Sequence, residues 1–152
     1  MIIIEANSNH LLNYHQIYNQ ISNEGLYFID QQSIPFETFS SHYLSCLEKS
    51  HLHYFALVNN LIVGWVEVDP YIKKLGIGII KEFRGIGIGS LLMEHCLSQC
   101  NKLNISPISL TVLFRNKVAI SLYTKYGFTV VSKKSVISFS NKVVTILDMI
   151  KL

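Results

Sequence analysis

Apolar positions along the chain recur first at helical and then at strand spacing. Met1 to Glu5 reads as an opening strand. Ser8 or Asn9 is placed to cap a helix whose residues Leu11, Tyr14, Ile17, Tyr18 and Ile21 fall near one face, and Gly25 ends it. After the aromatic stretch Leu26 to Ile29, Ser33-Ile34-Pro35 starts a second helix, in which Phe36, Phe39, Tyr43, Leu44 and Leu47 form a stripe suited to a core. From His53 the period shortens to two. Tyr54 to Val58 and Leu61 to Val68 form a hairpin through Asn59 and Asn60, which tolerate the positive φ of a tight turn.

Beyond the interruption at Pro70, Leu75 to Ile80 predicts another strand. A glycine-rich loop follows, and then an amphipathic helix to about Lys102 that buries Leu91, Leu92, Cys96 and Leu97. Past Pro107 comes the strand Ile108 to Leu113. A short helix, Lys117 to Tyr126, stops at Gly127, the residue type that accepts a left-handed C-terminal position. The strands Thr129 to Phe139 and Val143 to Lys151 close the chain, turning near Ser140 and Asn141. This order predicts an α/β fold: a mixed, mostly antiparallel central sheet flanked by helices rather than a regular doubly wound one. With 152 residues and no linker or repeat, residues 1–152 are expected to form one domain.

Composition narrows the function classes. The net charge of +3 is spread without a basic block or helical stripe, so no nucleic-acid partner is expected. No apolar run reaches bilayer-spanning length, and Met1 to Glu5 lacks a signal-peptide layout; no membrane association and a cytoplasmic location are expected. Charged residues make up only 15% of the chain, which points to a covered surface and hence a homodimer. Cys46, Cys96 and Cys100 are too few and too scattered for a disulfide framework. Cys96 and Cys100, with His95 beside them, lack a second ligand pair, and no metal is expected.

The chemistry concentrates in Arg84-Gly85-Ile86-Gly87-Ile88-Gly89-Ser90, between a strand and a helix. Free amides at a helix start, its positive dipole end and glycines that let backbone approach closely suit a phosphate or diphosphate. A dinucleotide fingerprint would need a third glycine where Ser90 stands, and the Gly-Lys-Ser/Thr end of a nucleoside-triphosphate loop is missing.

Arg84, Gly87 and Gly89, as Arg-x-x-Gly-x-Gly, resemble the coenzyme A loop of the GNAT superfamily of N-acetyltransferases. Leu110-Thr111-Val112, Asn116, Ala119, Leu122, Tyr123 and Gly127-Phe128 resemble that family's later motif. The resemblance runs from about Leu61 to the C-terminus and implies acetyl-CoA as acetyl donor and an amine acceptor. It implies that the amides of Arg84, Gly85, Ile86, Gly87, Ile88, Gly89 and Ser90 hold the pyrophosphate. The strand edge at Ile79, Ile80 and Lys81 would pair with the pantetheine arm, and Ile79 would offer its amide to the thioester carbonyl. Lys81 departs from the proline often found there. The resemblance makes Tyr123 the general acid toward the thiolate and Asn116 either a cofactor contact or only an N-cap. Glu67, sharing a face with Trp65 and Asp69, is the candidate base, with His53 next. The acceptor pocket is expected between the first two helices, where Tyr27, Phe28 and Phe36 supply aromatic surface or pack the core. A coenzyme A-binding module without catalysis is the alternative.

Overall fold

The computed structural model describes residues 1–29 and 32–152. Strand β1 (Ile2–Glu5) leads through a 3-10 turn (Ser8–His10) into α1 (Leu11–Asn23), followed by α2 (Phe36–Glu48), β2 (Leu52–Val58), β3 (Leu61–Asp69) and β4 (Lys74–Ile79). A second 3-10 turn (Lys81–Phe83) precedes α3 (Ile88–Lys102), β5 (Ile108–Leu113), α4 (Lys117–Lys125), β6 (Thr129–Ile137) and β7 (Val143–Lys151). The expected order of elements is present. At the first helix, however, Asn7 replaces Ser8 or Asn9 as the cap: its side chain accepts from the Asn9 amide at 3.0 Å while its own amide donates to His10 Nδ1 at 3.1 Å. That box starts a 3-10 turn before the α-helix.

All seven strands form one sheet in the order β1-β2-β3-β4-β5-β7-β6, with every pairing antiparallel except β4 with β5. The β2–β3 turn uses positive φ at Asn59 (50°) and Asn60 (63°), as the residue types predict. Ala56 pairs with Gly64 but Leu57 with Ile62, so Val63 is the extra residue of a bulge.

The sheet divides the core in two. On one face α1 and α2 bring Tyr14, Ile17, Ile21, Phe39 and Tyr43 onto Phe55, Ile62 and Trp65. On the other, α3 and α4 bring Ile88, Leu92, Met93, Cys96 and Tyr123 onto Val63, Val66, Val68, Leu75 and Leu110. Leu91 departs from the expected stripe and is exposed, as are Phe36 and Leu44; the α3 contact is carried by Ile88, Met93 and Cys100 beside Leu92, Cys96 and Leu97.

Strand β4 is shaped by what crosses it. Trp65 pairs with Gly78 and Glu67 with Gly76, and cross-strand partners share a face. A Cβ on Gly78 would run into the six-membered ring of Trp65, which is itself buried. Gly78→Ala is therefore expected to destabilise the fold by about 1–3 kcal/mol through overpacking, read as a lower denaturant midpoint at unchanged slope. An unchanged midpoint would show that Trp65 is free to leave β4.

Candidate functional site

Strands β4 and β5 meet at a single pair, Lys74 with Ser109, where the Ser109 amide donates to the Lys73 carbonyl at 2.8 Å. Past that pair they separate. The Ile80 amide donates to the Val63 carbonyl at 3.0 Å, so the alternation of the ladder points the peptide groups of Ile80, Gly78 and Gly76 at β3 and those of Ile77 and Ile79 into the gap. There they meet no strand. The Ile79 carbonyl is taken by Arg84 Nε at 2.8 Å, which leaves the Ile77 amide and carbonyl and the Ile79 amide as an open β-edge.

The glycine loop lies at the end of this edge. Gly85 (φ 76°) and Gly87 (φ 91°) are left-handed, and a Cβ on either would meet nothing within 4 Å, so these glycines serve the backbone turn and leave open space above it. Gly87 caps α3 without a side chain, and the first amide to bond back is that of Leu91, to the Gly87 carbonyl at 3.1 Å. The amides of Ile88, Gly89 and Ser90 are thus the unpaired first turn. Gly89 does a different job: its Cβ would stand 3.2 Å from both Ile79 Cδ1 and Leu122 Cδ2, so its absence lets α3 approach β4 and α4 closely. Lys125 Nζ donates to Ser90 Oγ at 3.2 Å and adds a cation beside the helix start.

Arg84 is not a free loop residue. Its Nη1 and Nη2 form a fork on Glu24 at 2.8 and 2.6 Å, its guanidinium lies 4.3 Å from the Tyr27 ring centre, and its amide donates to the Lys81 carbonyl at 3.3 Å. Glu24 raises its pKa further. From the end of β5, Arg115 donates to the Gly25 carbonyl at 2.8 Å. Both sides of the gap therefore hold the end of α1. Lys81, in its 3-10 turn, and Ile86, at the loop tip, are exposed, whereas Ile88 is buried.

Tyr123 is buried, edge-on to Phe128, and desolvation pushes its pKa well above the usual tyrosine value. Asn116 caps α4: its Oδ1 accepts from the Ala119 amide at 3.2 Å.

On the opposite face of the sheet, Glu67 lays its carboxyl over Gly76, with Oε1 3.4 Å from where a Cβ would stand. Burial, then the Asp69 charge, raises its pKa to about 7, although 30% of the side chain still reaches a cavity. That cavity, of about 340 Å³, is bounded by Tyr14, Tyr18, Phe39, His42, Tyr43 and Glu67. Its aromatic walls therefore differ from those expected. Tyr27 lies under Arg84, Phe28 stacks on Tyr18, and Phe36 is exposed beside His15. His53 Nδ1 is 3.6 Å from Glu67 Oε2, too far for a hydrogen bond, and both its ring nitrogens are buried without partners. Burial lowers its pKa to about 3, so His53 is a poor proton acceptor at neutral pH, contrary to its ranking as second base.

Sequence reasoning missed Ile77 and Glu24. Strand alternation points Ile77 the same way as Ile79 and could have found it; no local pattern marks Glu24, sixty residues from Arg84.

No helix of the described residues is long and apolar enough to cross a membrane, and among them no three His, Cys, Asp or Glu side chains gather as metal ligands. The chain is 31% identical over 100 residues to "Probable N-acetyltransferase san" of Drosophila melanogaster, an alignment covering 60% of this chain. It spans only 54% of that relative's length. Its fold matches a ribosomal-protein-alanine N-acetyltransferase from Brucella melitensis with a TM-score of 0.90 at 17% identity, covering 100% of this chain and 99% of the other. A phosphinothricin acetyltransferase from Sinorhizobium meliloti, in complex with acetyl-CoA, matches with a TM-score of 0.88 at 15% identity, covering 99% and 86%. At these identities the likeness is one of fold. The family model for acetyltransferases of the GNAT type matches residues 15–128, and this chain belongs to that family.

Proposed function

We propose that the chain transfers the acetyl group of acetyl-CoA to a primary amine of a small molecule or peptide by direct attack. The observation that carries this reading is the open edge of β4, which leads from an unpaired helix start to a half-buried carboxyl. A diphosphate fits the first-turn amides of α3 beside Lys125, with Gly85 and Gly87 leaving room for it. An extended pantetheine arm, itself carrying amides, pairs with Ile79 and then Ile77 as an added strand would.

Strand spacing favours one amide for the thioester carbonyl. At about 3.3 Å per residue, Ile79 lies roughly 10 Å from Gly76, where Glu67 sits, while Ile77 lies one step away. A base must reach its proton directly or through one water. We therefore assign the thioester carbonyl to the Ile77 amide and the arm to Ile79, moving the expected contact one step deeper.

The amine nitrogen attacks the carbonyl carbon, the Ile77 amide stabilises the oxyanion, and Glu67 takes the proton the nitrogen loses. The C–S bond then breaks. Tyr123 is held protonated and donates a hydrogen bond to the departing sulfur. With its pKa raised above about 10 against about 8.5 for an ordinary thiol, stabilising the thiolate is favoured over complete proton transfer. Arg84, its guanidinium committed to Glu24, fixes the loop. Asn116 acts chiefly as a cap. A half-buried carboxyl laid over Gly76, one residue from the open edge at Ile77, favours catalysis over a binding module without it.

A homodimer would draw on the apolar hairpin tip, where Ile137, Phe139 and Val143 are exposed. Lys133 and Lys134 in the middle of edge strand β6 oppose edge-to-edge pairing of two copies. Light scattering at micromolar concentration tests this, and a monomeric mass rejects it.

Acetyl-CoA is expected to raise the melting temperature, and no shift at millimolar cofactor would remove the binding assignment. Tyr123→Phe is expected to lower kcat about 10²-fold while KM for acetyl-CoA stays within about a factor of three. An unchanged kcat would exclude Tyr123 from the leaving-group step. Below about pH 7 Glu67 of the free enzyme keeps its proton and cannot accept another, so kcat/KM for the amine should rise through that pH. Glu67→Gln should erase this limb and reduce kcat about 10²–10⁴-fold. Retention of the limb would assign it to another group.

A further inference from the structure

The gap-facing groups of β4 stand in a fixed order. From the glycine loop inward they are the Ile79 carbonyl, the Ile79 amide, the Ile77 carbonyl and the Ile77 amide, because each residue of a strand carries its carbonyl on the C-terminal side of its amide. The arm of acetyl-CoA offers a complementary order toward its reacting end: an amide carbonyl, the N–H of that amide and then the thioester carbonyl. Two seatings match the polarity. In the deep one the arm carbonyl accepts from the Ile79 amide, the arm N–H donates to the Ile77 carbonyl, and the thioester carbonyl accepts from the Ile77 amide. In the shallow one every group stands two residues, about 6.6 Å, farther out. The arm N–H then needs the Ile79 carbonyl, and the thioester carbonyl comes to the Ile79 amide.

Arg84 closes the shallow seat. Its Nε donates to the Ile79 carbonyl at 2.8 Å, so an arm N–H brought there meets another donor at an acceptor already taken. That bond is not left to hold a flexible side chain alone. Glu24, at the end of α1, accepts from Nη1 and Nη2 at 2.8 and 2.6 Å, and the Tyr27 ring lies 4.3 Å from the guanidinium. A bidentate carboxylate fixes both the plane and the direction of the fork. Without it, a free cation adjoining Gly85 would be drawn to the diphosphate, and the Ile79 carbonyl would be released.

We propose that Glu24 is a positioning residue that sets the register of the cofactor: by holding Arg84 on the Ile79 carbonyl, it leaves only the deep seat, with the thioester at Ile77. Ile77 adjoins Gly76, over which Glu67 lies. This rests on the transferase reading for what the register achieves, but not for the register itself.

The end of α1 keeps other ties when the carboxylate is removed. Gln20 Nε2 donates to Glu82 Oε2 at 3.3 Å, and Arg115 Nη2 donates to the Gly25 carbonyl at 2.8 Å. Glu24→Gln is therefore expected to fold, and Arg84→Ala frees the same carbonyl by a second route.

The test is amide hydrogen exchange at Ile77 and Ile79, followed by NMR on the full chain without ligand, with CoA and with acetyl-CoA. In the unaltered chain acetyl-CoA should slow both amides at least about tenfold, and CoA, which lacks the thioester carbonyl, should slow only Ile79. In Glu24→Gln and in Arg84→Ala, acetyl-CoA should still protect Ile79 but no longer Ile77. By calorimetry Glu24→Gln should bind acetyl-CoA within about threefold of the unaltered chain, or more tightly as the freed guanidinium reaches the diphosphate. Its kcat in thiol release should nevertheless fall about tenfold or more. A merely structural role would weaken binding and rate together.

Ile77 protection retained in either variant overturns the proposal, as does protection of neither amide in the unaltered chain. An unchanged kcat in Glu24→Gln, or an acetyl-CoA affinity that falls in step with the rate, overturns it too. The predicted exchange pattern without thiol release from the unaltered chain overturns the transferase reading and upholds the register.

Discussion

Two parallel strands that touch at one residue pair and then part leave backbone donors and acceptors without a ladder. In a folded interior such groups must be paired or reach solvent or a ligand. Around β4 and β5 the other parts of the site serve this separation. Arg84, from the β4 side, and Arg115, from the β5 side, both hold the end of α1, so the gap is bridged at one end through Glu24 and Gly25. Lys74 and Ser109 join it at the other. Between those ties, the Ile77 and Ile79 amides form a row with the α3 helix start beyond, and an elongated ligand with an anionic end and an amide-bearing arm matches the order of those groups.

Glycines divide the labour around that gap. In Leu75-Gly76-Ile77-Gly78-Ile79 the isoleucines and leucine pack toward α3 and the glycines face α1 and α2. A Cβ on Gly78 would run into Trp65, whereas one on Gly76 would only touch the Glu67 side chain at ordinary contact distance; Gly85 and Gly87 supply backbone turns; Gly89 closes helix, strand and helix onto one another. Within the loop read from sequence as a phosphate site, Gly85 and Gly87 shape the turn, and Gly89 answers to close approach between elements.

Local features were legible in the sequence: the order of elements from apolar periodicity, the hairpin at Asn59-Asn60, the stop at Gly127 with φ 87°, and the mixed sheet. The family followed from two spaced motifs. What stayed hidden was set by contacts distant in sequence. The Arg84–Glu24 fork joins residues sixty apart, and the burial of His53 depends on rings brought in by α1 and α2. The cavity walls follow from which helix face meets the sheet, and helical spacing alone could not separate Tyr14 and Phe39, which line the cavity, from Phe36 and Leu44, which are exposed. Asn7 escaped notice as a cap because the intervening 3-10 turn displaces the α-helix start to Leu11.

The pairing of Glu67 with His53 shows how packing sets chemistry. A protonated histidine 3.6 Å from a carboxylate would stabilise its charge and draw its pKa down, leaving a weaker base. Here the rings of Tyr14, Tyr43 and Phe55 surround His53 at 4.9, 5.4 and 4.9 Å, and the same burial that leaves its nitrogens without partners keeps it neutral. Glu67 thus loses much of its hydration without receiving a cation in return. Its raised pKa follows from that: a desolvated carboxyl whose most favourable partner, a cation, is one that the protein does not itself provide.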